Sequence, residues 1–313
     1  MARRSSKDIS APSTRPAPAY AAAPAGAGKR AAKGKGGIGW TIVFWFALAV
    51  FLVAAFFVGR TLWSYRQGTA QYEKLAEDVI ALPDDDSVLT IDAMQVDWDA
   101  LMAINSNTIG WLFVPGTNIN YPVVWCGNDT TYLTRTFDGK PGGNVTFGTL
   151  FLEGENSPDL SDPHNVIFGH AMKNGTMFAA FHRMSYNGTF EQCRDIYLLT
   201  PKGNLHLRTF AYVHVVATDL AVMTAKFASP AELASFIQNK MDRTMFQPAD
   251  EVPAASEMSK IFSFITCDSA SSAGRYIVYA YVVESSIPGI EGFGGEDPNT
   301  PGISTDLVDG LGW

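Results

Sequence analysis

An uninterrupted apolar run near the start of the chain limits its possible folds more than any other feature. Residues 38–59, IGWTIVFWFALAVFLVAAFFVG, contain no charged side chain. A helix of this length, at about 1.5 Å per residue, can cross a hydrocarbon core of about 30 Å. A cleaved signal peptide normally has a shorter apolar region, which ends at a small-residue cleavage site. This run is longer and continues into VGRTLW, so we interpret it as an uncleaved membrane anchor.

Charge is divided unevenly between the two sides of this run. Residues 1–37 carry eight Lys or Arg and one Asp, which leaves the rest of the chain with a net charge of −15, against −8 overall. This basic segment is rich in Ala, Pro, Ser and Gly and predicts a disordered tail. The positive-inside rule places the tail in the cytoplasm, so we expect a single-pass membrane protein whose main part is extracellular. An acidic main part argues against nucleic acid as a partner, since phosphate binding needs a basic face.

After the anchor, residues 60–97 predict a helical juxtamembrane segment. Four apolar residues have the spacing of one helix face: Tyr72, Leu75, Val79 and Ile80. A second short helix is expected to begin after Asp97, whose side chain can cap it.

Short apolar runs separated by Gly, Pro and Asn follow from residue 110 onward. They cover residues 111–125, 144–154, 164–170, 195–219, 260–267 and 275–283. Runs of this kind predict a mainly β domain built on a closed or strongly curved antiparallel sheet. One helix is expected at residues 229–241, with Ser229 as N-cap, Pro230 in the first position and Glu232 three residues after the cap. Residues 285–313 are acidic and rich in Gly and Pro, and predict an irregular tail.

A cysteine and an arginine flank a small polar loop in residues 260–276, KIFSFITCDSASSAGRY. If the two strands form a hairpin, Cys267 ends one strand and Arg275 begins its neighbour, side by side at the rim of the sheet. A free thiol is only a few per cent thiolate at pH 7, so a nucleophilic cysteine needs a base or cationic surroundings. Arginine cannot act as a base, but it can hold a carbonyl oxygen or a developing oxyanion.

The missing base would be one of five histidines. His170 ends the apolar strand NVIFGH and enters a Gly-containing turn, where a side chain can be rigidly backed and still exposed. We therefore expect His170 to pair with Cys267. The other four are not expected to take part in catalysis. We expect His164 to be solvated in a loop and His182 to lie on a helix surface, with His206 and His214 as structural residues of strands.

The sequence gives less support to a zinc site or a serine nucleophile. The chain contains no C-x-x-C or H-x-x-x-H pattern for zinc and no G-x-S-x-G motif for a serine nucleophile. A buried structural cysteine is the alternative for Cys267. With three cysteines at least one thiol is free, and it stays open whether Cys126 and Cys193 pair, although buried single thiols are the preferred interpretation.

Taken together, these motifs resemble a class B sortase, a membrane-anchored cysteine transpeptidase of Gram-positive bacteria. Residues 148–181 are similar to the family's histidine block. FITCDS followed by Arg275 resembles its T-x-T-C and arginine signature, with Phe264 where the first Thr is usual. The helix before the cysteine strand and the helices before the barrel are typical of class B. The resemblance covers residues 98–284, which we interpret as the catalytic domain.

This resemblance implies a fold and a site. The fold would be a closed antiparallel β-barrel with N-terminal helices and an inserted helix before the cysteine strand. Cys267 would be the nucleophile, His170 the general acid and base, and Arg275 the group that stabilises the oxyanion or positions the peptide. Thr266 and Asp268 are secondary candidates for support or substrate binding. No metal ion or cofactor is implied.

The implied reaction cleaves a C-terminal sorting signal of exported proteins through a thioacyl intermediate. The acceptor would be an amine of a lipid-linked peptidoglycan precursor or a lysine of a pilus subunit. A different class of function is an inactive sortase-like barrel that serves as a membrane-tethered peptide-binding or assembly module. A third is an extracellular structural domain with a buried cysteine. The reactivity of Cys267 distinguishes these alternatives.

Overall fold

The described part of the chain combines five α-helices and two short 3-10 helices with ten strands. The structure, a computed structural model, describes residues 37–83, 89–141, 147–187, 189–267 and 274–293. The helices are α1 (Gly37–Val79), α2 (Trp98–Ile104), α3 (Thr131–Thr134), α4 (Ala179–Asn187) and α5 (Pro230–Asp242). The strands are β1 (Ile80–Ala81), β2 (Gln95–Val96), β3 (Thr108–Phe113), β4 (Asn120–Val124), β5 (Leu150–Leu152), β6 (His164–His170), β7 (Asp195–Thr200), β8 (Gly203–Val216), β9 (Ile261–Cys267) and β10 (Gly274–Ser285). The basic tail up to residue 36 and the acidic tail from residue 294 lie outside the described residues.

Eight of the strands close into a barrel. Their order is β10-β8-β7-β3-β4-β5-β6-β9, and β9 is hydrogen-bonded back to β10. The predicted mainly β fold with a closed barrel is therefore confirmed. Not every pair is antiparallel, however, because β4 pairs with β5 and β6 pairs with β9 in parallel. Side chains alternate with the same period in both kinds of strand, so the apolar pattern could not distinguish them.

Helices cover both faces of the sheet where β9 and β10 run. Phe181 of α4 packs against Phe264 of β9, with ring centroids 5.5 Å apart. On the opposite face, Phe236 of α5 packs against Tyr279 of β10 at 6.2 Å. Aromatic side chains bury large apolar areas, so these contacts stabilise the two strands on both sides.

Helix α1 contains both the predicted anchor and the predicted amphipathic segment. It is long and apolar enough to cross a membrane, which fits a single-pass anchor at residues 38–59. Farther along, Tyr72, Ala76 and Val79 are buried with the spacing of one helix face. The juxtamembrane helix is thus the end of α1, and Ile80 begins β1 instead of extending the helical face.

Capping hydrogen bonds confirm two predicted helix starts. The Ser229 hydroxyl accepts a hydrogen bond from the backbone N–H of Glu232 at 3.3 Å, and Pro230 takes the first position of α5. Asp97 Oδ1 accepts one from the backbone N–H of Ala100 at 2.9 Å, where α2 begins. Both helices therefore start at local sequence signals.

The first residues of the predicted irregular tail pack on the barrel. Ile287 and Ile290 are buried, and the backbone N–H of Phe293 donates to the carbonyl of Val282 at 2.8 Å. The packed domain thus continues beyond residue 284.

Cys126 and Cys193 are both free thiols. Burial raises the pKa of Cys193 to about 12, which makes it inert at neutral pH. Cys126 is half-buried after β4, where its Sγ accepts a hydrogen bond from Asn128 Nδ2 at 3.4 Å. Only Cys193 matches the expected buried single thiol.

His164 is buried, which corrects the prediction of a solvated loop residue. It is the first residue of β6 and has no exposed surface. Its Nδ1 lies 2.8 Å from the carbonyl oxygen of Thr224 and therefore carries the hydrogen, so Ser263 Oγ donates to Nε2 at 2.8 Å. Burial lowers the pKa of His164 to about 4, so the ring is neutral at pH 7. The preceding SDP motif indicated a turn, but the strand begins directly after it.

We expect His164 to make the free energy of unfolding depend on pH. Its pKa is about 4 in the folded state and 6.5 ordinarily, so between these values the unfolded chain takes up a proton that the folded chain does not. Stability should therefore fall by up to about 3 kcal/mol as the pH drops from 6.5 to 4, with no loss from this group above pH 7. The measurement is denaturant unfolding of the full chain in detergent micelles, beside His164→Gln. The variant should lose less stability over this pH interval, and parallel curves for the two proteins would contradict the expectation.

Candidate active site

Three neighbouring strands bring the predicted catalytic residues to one rim of the barrel. His170 ends β6 and Cys267 ends β9, and the two are paired in parallel register. Arg275, the second residue of β10, pairs with Cys267 in antiparallel register on the other side. Paired strands lie about 4.8 Å apart, and directly opposed residues share a face of the sheet. The Cys267 backbone therefore lies between the other two, and all three positions are on one face.

The His170 ring is held by a backbone carbonyl. Its Nε2 lies 2.7 Å from the carbonyl oxygen of Leu133, at the end of α3. A carbonyl only accepts, so Nε2 carries the hydrogen of this bond and Nδ1 is the ring nitrogen available to exchange a proton. The carbonyl of His170 accepts a hydrogen bond from the backbone N–H of Phe178 at 2.8 Å, which closes the turn after β6. His170 is thus fixed on both its ring and its backbone while remaining half-buried.

Gly148 packs directly against the His170 ring. Its φ of +61° lies in the left-handed region that favours glycine. A Cβ atom built there would lie 2.8 Å from the carbonyl oxygen of Tyr132, 2.9 Å from that of Leu133 and 3.0 Å from His170 Cδ2. Only a residue without a side chain fits between α3 and the imidazole.

Arg275 contacts the segment that leads from β8 to α5. Its Nη1 lies 3.9 Å from Met223 Sδ, and the residue is half-buried. The next residue, Thr224, accepts the hydrogen bond from His164. A buried histidine therefore holds the backbone beside the residue that contacts Arg275.

Of the two secondary candidates, Thr266 and Asp268, the structure describes only Thr266. Thr266 is fully buried, and its Oγ1 donates to the carbonyl of Tyr276 at 3.2 Å. Alternation places Thr266 on the face opposite Cys267, so it can support β9 and β10 but does not line the rim. For Cys267 the structure describes the backbone, and Asp268 lies outside the described residues.

The remaining histidines have aromatic or carboxylate neighbours. His182 in α4 and His214 in β8 both contact the ring of Tyr276, with centroids 4.9 and 4.4 Å away. His206 is buried, and its Nε2 lies 2.8 Å from Asp195 Oδ1. The structural role expected for His206 in its strand fits these contacts.

Sequence reasoning missed Leu133, Gly148 and Met223. Gly148 had a usable signal, because an isolated glycine within a strand-like run often marks a close approach of another group. Leu133 acts through its backbone carbonyl, and Met223 contacts a residue far away in the sequence, so the sequence carries no signal for either residue. Among the side chains that the structure describes, no group of three His, Cys, Asp or Glu is arranged to hold a metal ion.

A known protein family matches more than half of the chain. Residues 112–283 match the family described as Sortase domain. The chain belongs to the sortase family. The match begins near the end of β3 and ends within β10, so it includes most of the barrel and all three rim positions.

Curated relatives named sortase B support the assignment to class B, and solved structures share the fold. Sortase B of Listeria monocytogenes is 22% identical over 240 residues, which are 75% of this chain and 93% of that protein. Sortase B of Staphylococcus aureus is 21% identical over 248 residues, 79% of this chain and 97% of that protein. The structure of sortase B from B. anthracis in complex with AAEK1 has a TM-score of 0.58 and 22% identity, and covers 71% of this chain and 98% of its own. The Staphylococcus aureus sortase B–substrate complex has a TM-score of 0.57 and 20% identity, with 70% and 97% coverage.

We expect Gly148→Ala to displace His170 in this sortase. A matched control is Gly116→Ala, since Gly116 has a similar φ of +69° but no atoms within 4 Å of the position that a Cβ would take. The control should lose only the backbone strain of about 1 kcal/mol, whereas Gly148→Ala should lose about 2 kcal/mol more from overpacking. Unfolding of both variants, together with the NMR resonances of the His170 imidazole, checks this. Equal stability losses and an unmoved His170 resonance would contradict it.

Proposed function

We propose that this sortase is a cysteine transpeptidase that cleaves a C-terminal sorting signal of exported proteins, with Cys267 as its nucleophile. The observation that carries the proposal is the pairing of Cys267 with His170 on one side and Arg275 on the other. A thiol at neutral pH needs a base or a cation to react as thiolate, and this register supplies one of each. The names of its relatives support the broader assignment to sortase transpeptidases.

In the first half-reaction, His170 accepts the proton of the Cys267 thiol, and the thiolate sulfur bonds to the carbonyl carbon of the scissile peptide. The carbonyl electron pair moves to the oxygen, where the Arg275 guanidinium donates hydrogen bonds to the developing charge. As the C–N bond breaks, His170 returns its proton to the leaving amine. Because Leu133 occupies Nε2, this proton is carried by Nδ1. The products are a thioester on Cys267 and the released C-terminal fragment.

In the second half-reaction, an acceptor amine attacks the thioester carbonyl. His170 takes the proton from the attacking amine, a new C–N bond forms, and the C–S bond breaks to release the Cys267 thiolate. We propose that the acceptor is an amine of a lipid-linked peptidoglycan precursor or a lysine of a pilus subunit. If water attacks instead, the result is hydrolysis.

A membrane position suits this chemistry. Helix α1 provides the candidate span, and the basic residues before it favour a cytoplasmic N-terminus with the barrel outside. Both the exported substrates and a lipid-linked acceptor reach the enzyme at the outer membrane face. The acidic main part of the chain makes nucleic acid an unsuitable partner.

Cys267→Ala should abolish cleavage of a sorting peptide. Arg275→Lys should lower kcat by about 10²-fold, since lysine keeps the charge but lacks the planar fork of donors. Cys126→Ser is the matched control for loss of a thiol and should retain full activity. The assay incubates the full chain in nanodiscs with a peptide library and candidate amines, and identifies the product ends by mass. Cleavage by Cys267→Ala would reject the mechanism.

The Cys126→Ser variant should be labelled by a thiol reagent at Cys267 alone while folded. Cys193 should stay unlabelled, because burial raises its pKa to about 12. Resistance of Cys267 until denaturation would favour a structural domain with a buried cysteine. Rapid labelling and peptide binding with no product would favour the inactive binding module.

A further inference from the structure

The second half of α1 contacts both chain segments that hold His170. Gly68 and Tyr72 lie one helical turn apart on the same face. The Phe147 ring packs against Gly68 in the space of a side chain, and the Tyr72 hydroxyl donates to the carbonyl of Gly148 at 2.6 Å. These contacts attach α1 to the segment under the imidazole, because Gly148 is the residue that packs against His170.

A second attachment reaches the turn that follows His170. Asn174 Nδ2 donates to Thr69 Oγ1 of α1 at 3.1 Å. The Tyr72 ring packs edge-on against Tyr121 with centroids 5.4 Å apart, and the Tyr121 hydroxyl accepts from the backbone N–H of Met177 at 3.1 Å. The turn that begins after His170 is thus held to the same helix face as the segment beneath the ring.

From these contacts we propose that Tyr72 is a positioning residue for His170, so that the second half of α1 contributes to the geometry of the active site. The proposal rests on the catalytic role proposed for His170. Tyr72 does not touch the reacting atoms but acts through Gly148.

Physical properties of the contact suit this role. Tyr72 is buried, and burial raises its pKa to about 12, so its hydroxyl remains a hydrogen-bond donor throughout the physiological range. Gly148 has no side chain that could absorb a movement, so a shift of its backbone is transmitted to the ring directly. A misplacement of a catalytic group by about 1 Å can cost about 10²-fold in rate.

The test compares Tyr72→Phe with Tyr197→Phe in the full chain in nanodiscs. Tyr197 is also a buried tyrosine whose hydroxyl donates to a backbone carbonyl, that of Leu89 at 3.2 Å, but it lies on β7, across the barrel from β6. Both variants lose one buried hydroxyl and keep the ring. Tyr72→Phe should lower kcat for sorting-peptide cleavage about tenfold with little change in KM, whereas Tyr197→Phe should leave kcat near wild type.

Two further measurements separate positioning from general loss of stability. The His170 imidazole resonances and the histidine limb of the kcat pH profile should shift in Tyr72→Phe and stay unchanged in Tyr197→Phe. Thr69→Val, which keeps the side-chain shape but removes the bond to Asn174, should shift them in the same direction by a smaller amount. Equal kcat and equal resonances in Tyr72→Phe and Tyr197→Phe, with His170→Ala inactive, would overturn this proposal alone. Full activity of His170→Ala would instead overturn the proposed function.

Discussion

The parallel pairing of β6 with β9 is the constraint on which the rest of the site depends. These strands are far apart in sequence, and they place His170 beside Cys267 only because every residue from His164 to His170 has a partner in β9. A shift by one residue would move His170 away from Cys267 and turn its side chain to the other face. The buried hydrogen bond between His164 Nε2 and Ser263 Oγ of β9 favours this register, since a slip would leave both groups buried without this partner.

Buried polar groups extend this precision to the connection between β8 and α5. His164 bonds both Ser263 of β9 and the carbonyl of Thr224, so it joins two strands of the barrel to the segment that contacts Arg275. Polar groups in the interior are stabilising only when their hydrogen bonds are satisfied. Both ring nitrogens of His164 are satisfied here. The bonds therefore fix one arrangement of a segment that apolar contacts alone would leave free to slide.

Helix α1 links the candidate membrane span to the segment that packs against His170. The same continuous helix contains the candidate span and the residues that lie against Phe147 and Gly148. A flexible linker would let an anchor and a catalytic domain move independently. Here Tyr72, Ala76 and Val79 are buried against the domain, so the C-terminal end of the helix is part of its core. The candidate span and the residues that hold the segment beneath His170 thus belong to one helix.

The sequence by itself determined the features that local physical chemistry controls. The apolar run determines the candidate span, the spacing of apolar residues determines the strands, Asp97 and Ser229 determine where two helices start, and the short loop places Cys267 opposite Arg275. Only the tertiary structure decided the parallel pairs, the burial of His164 and the glycine beneath His170. Each of these depends on contacts between residues distant in the chain, such as Tyr72 with Gly148 or His164 with Ser263, and no local spacing records them.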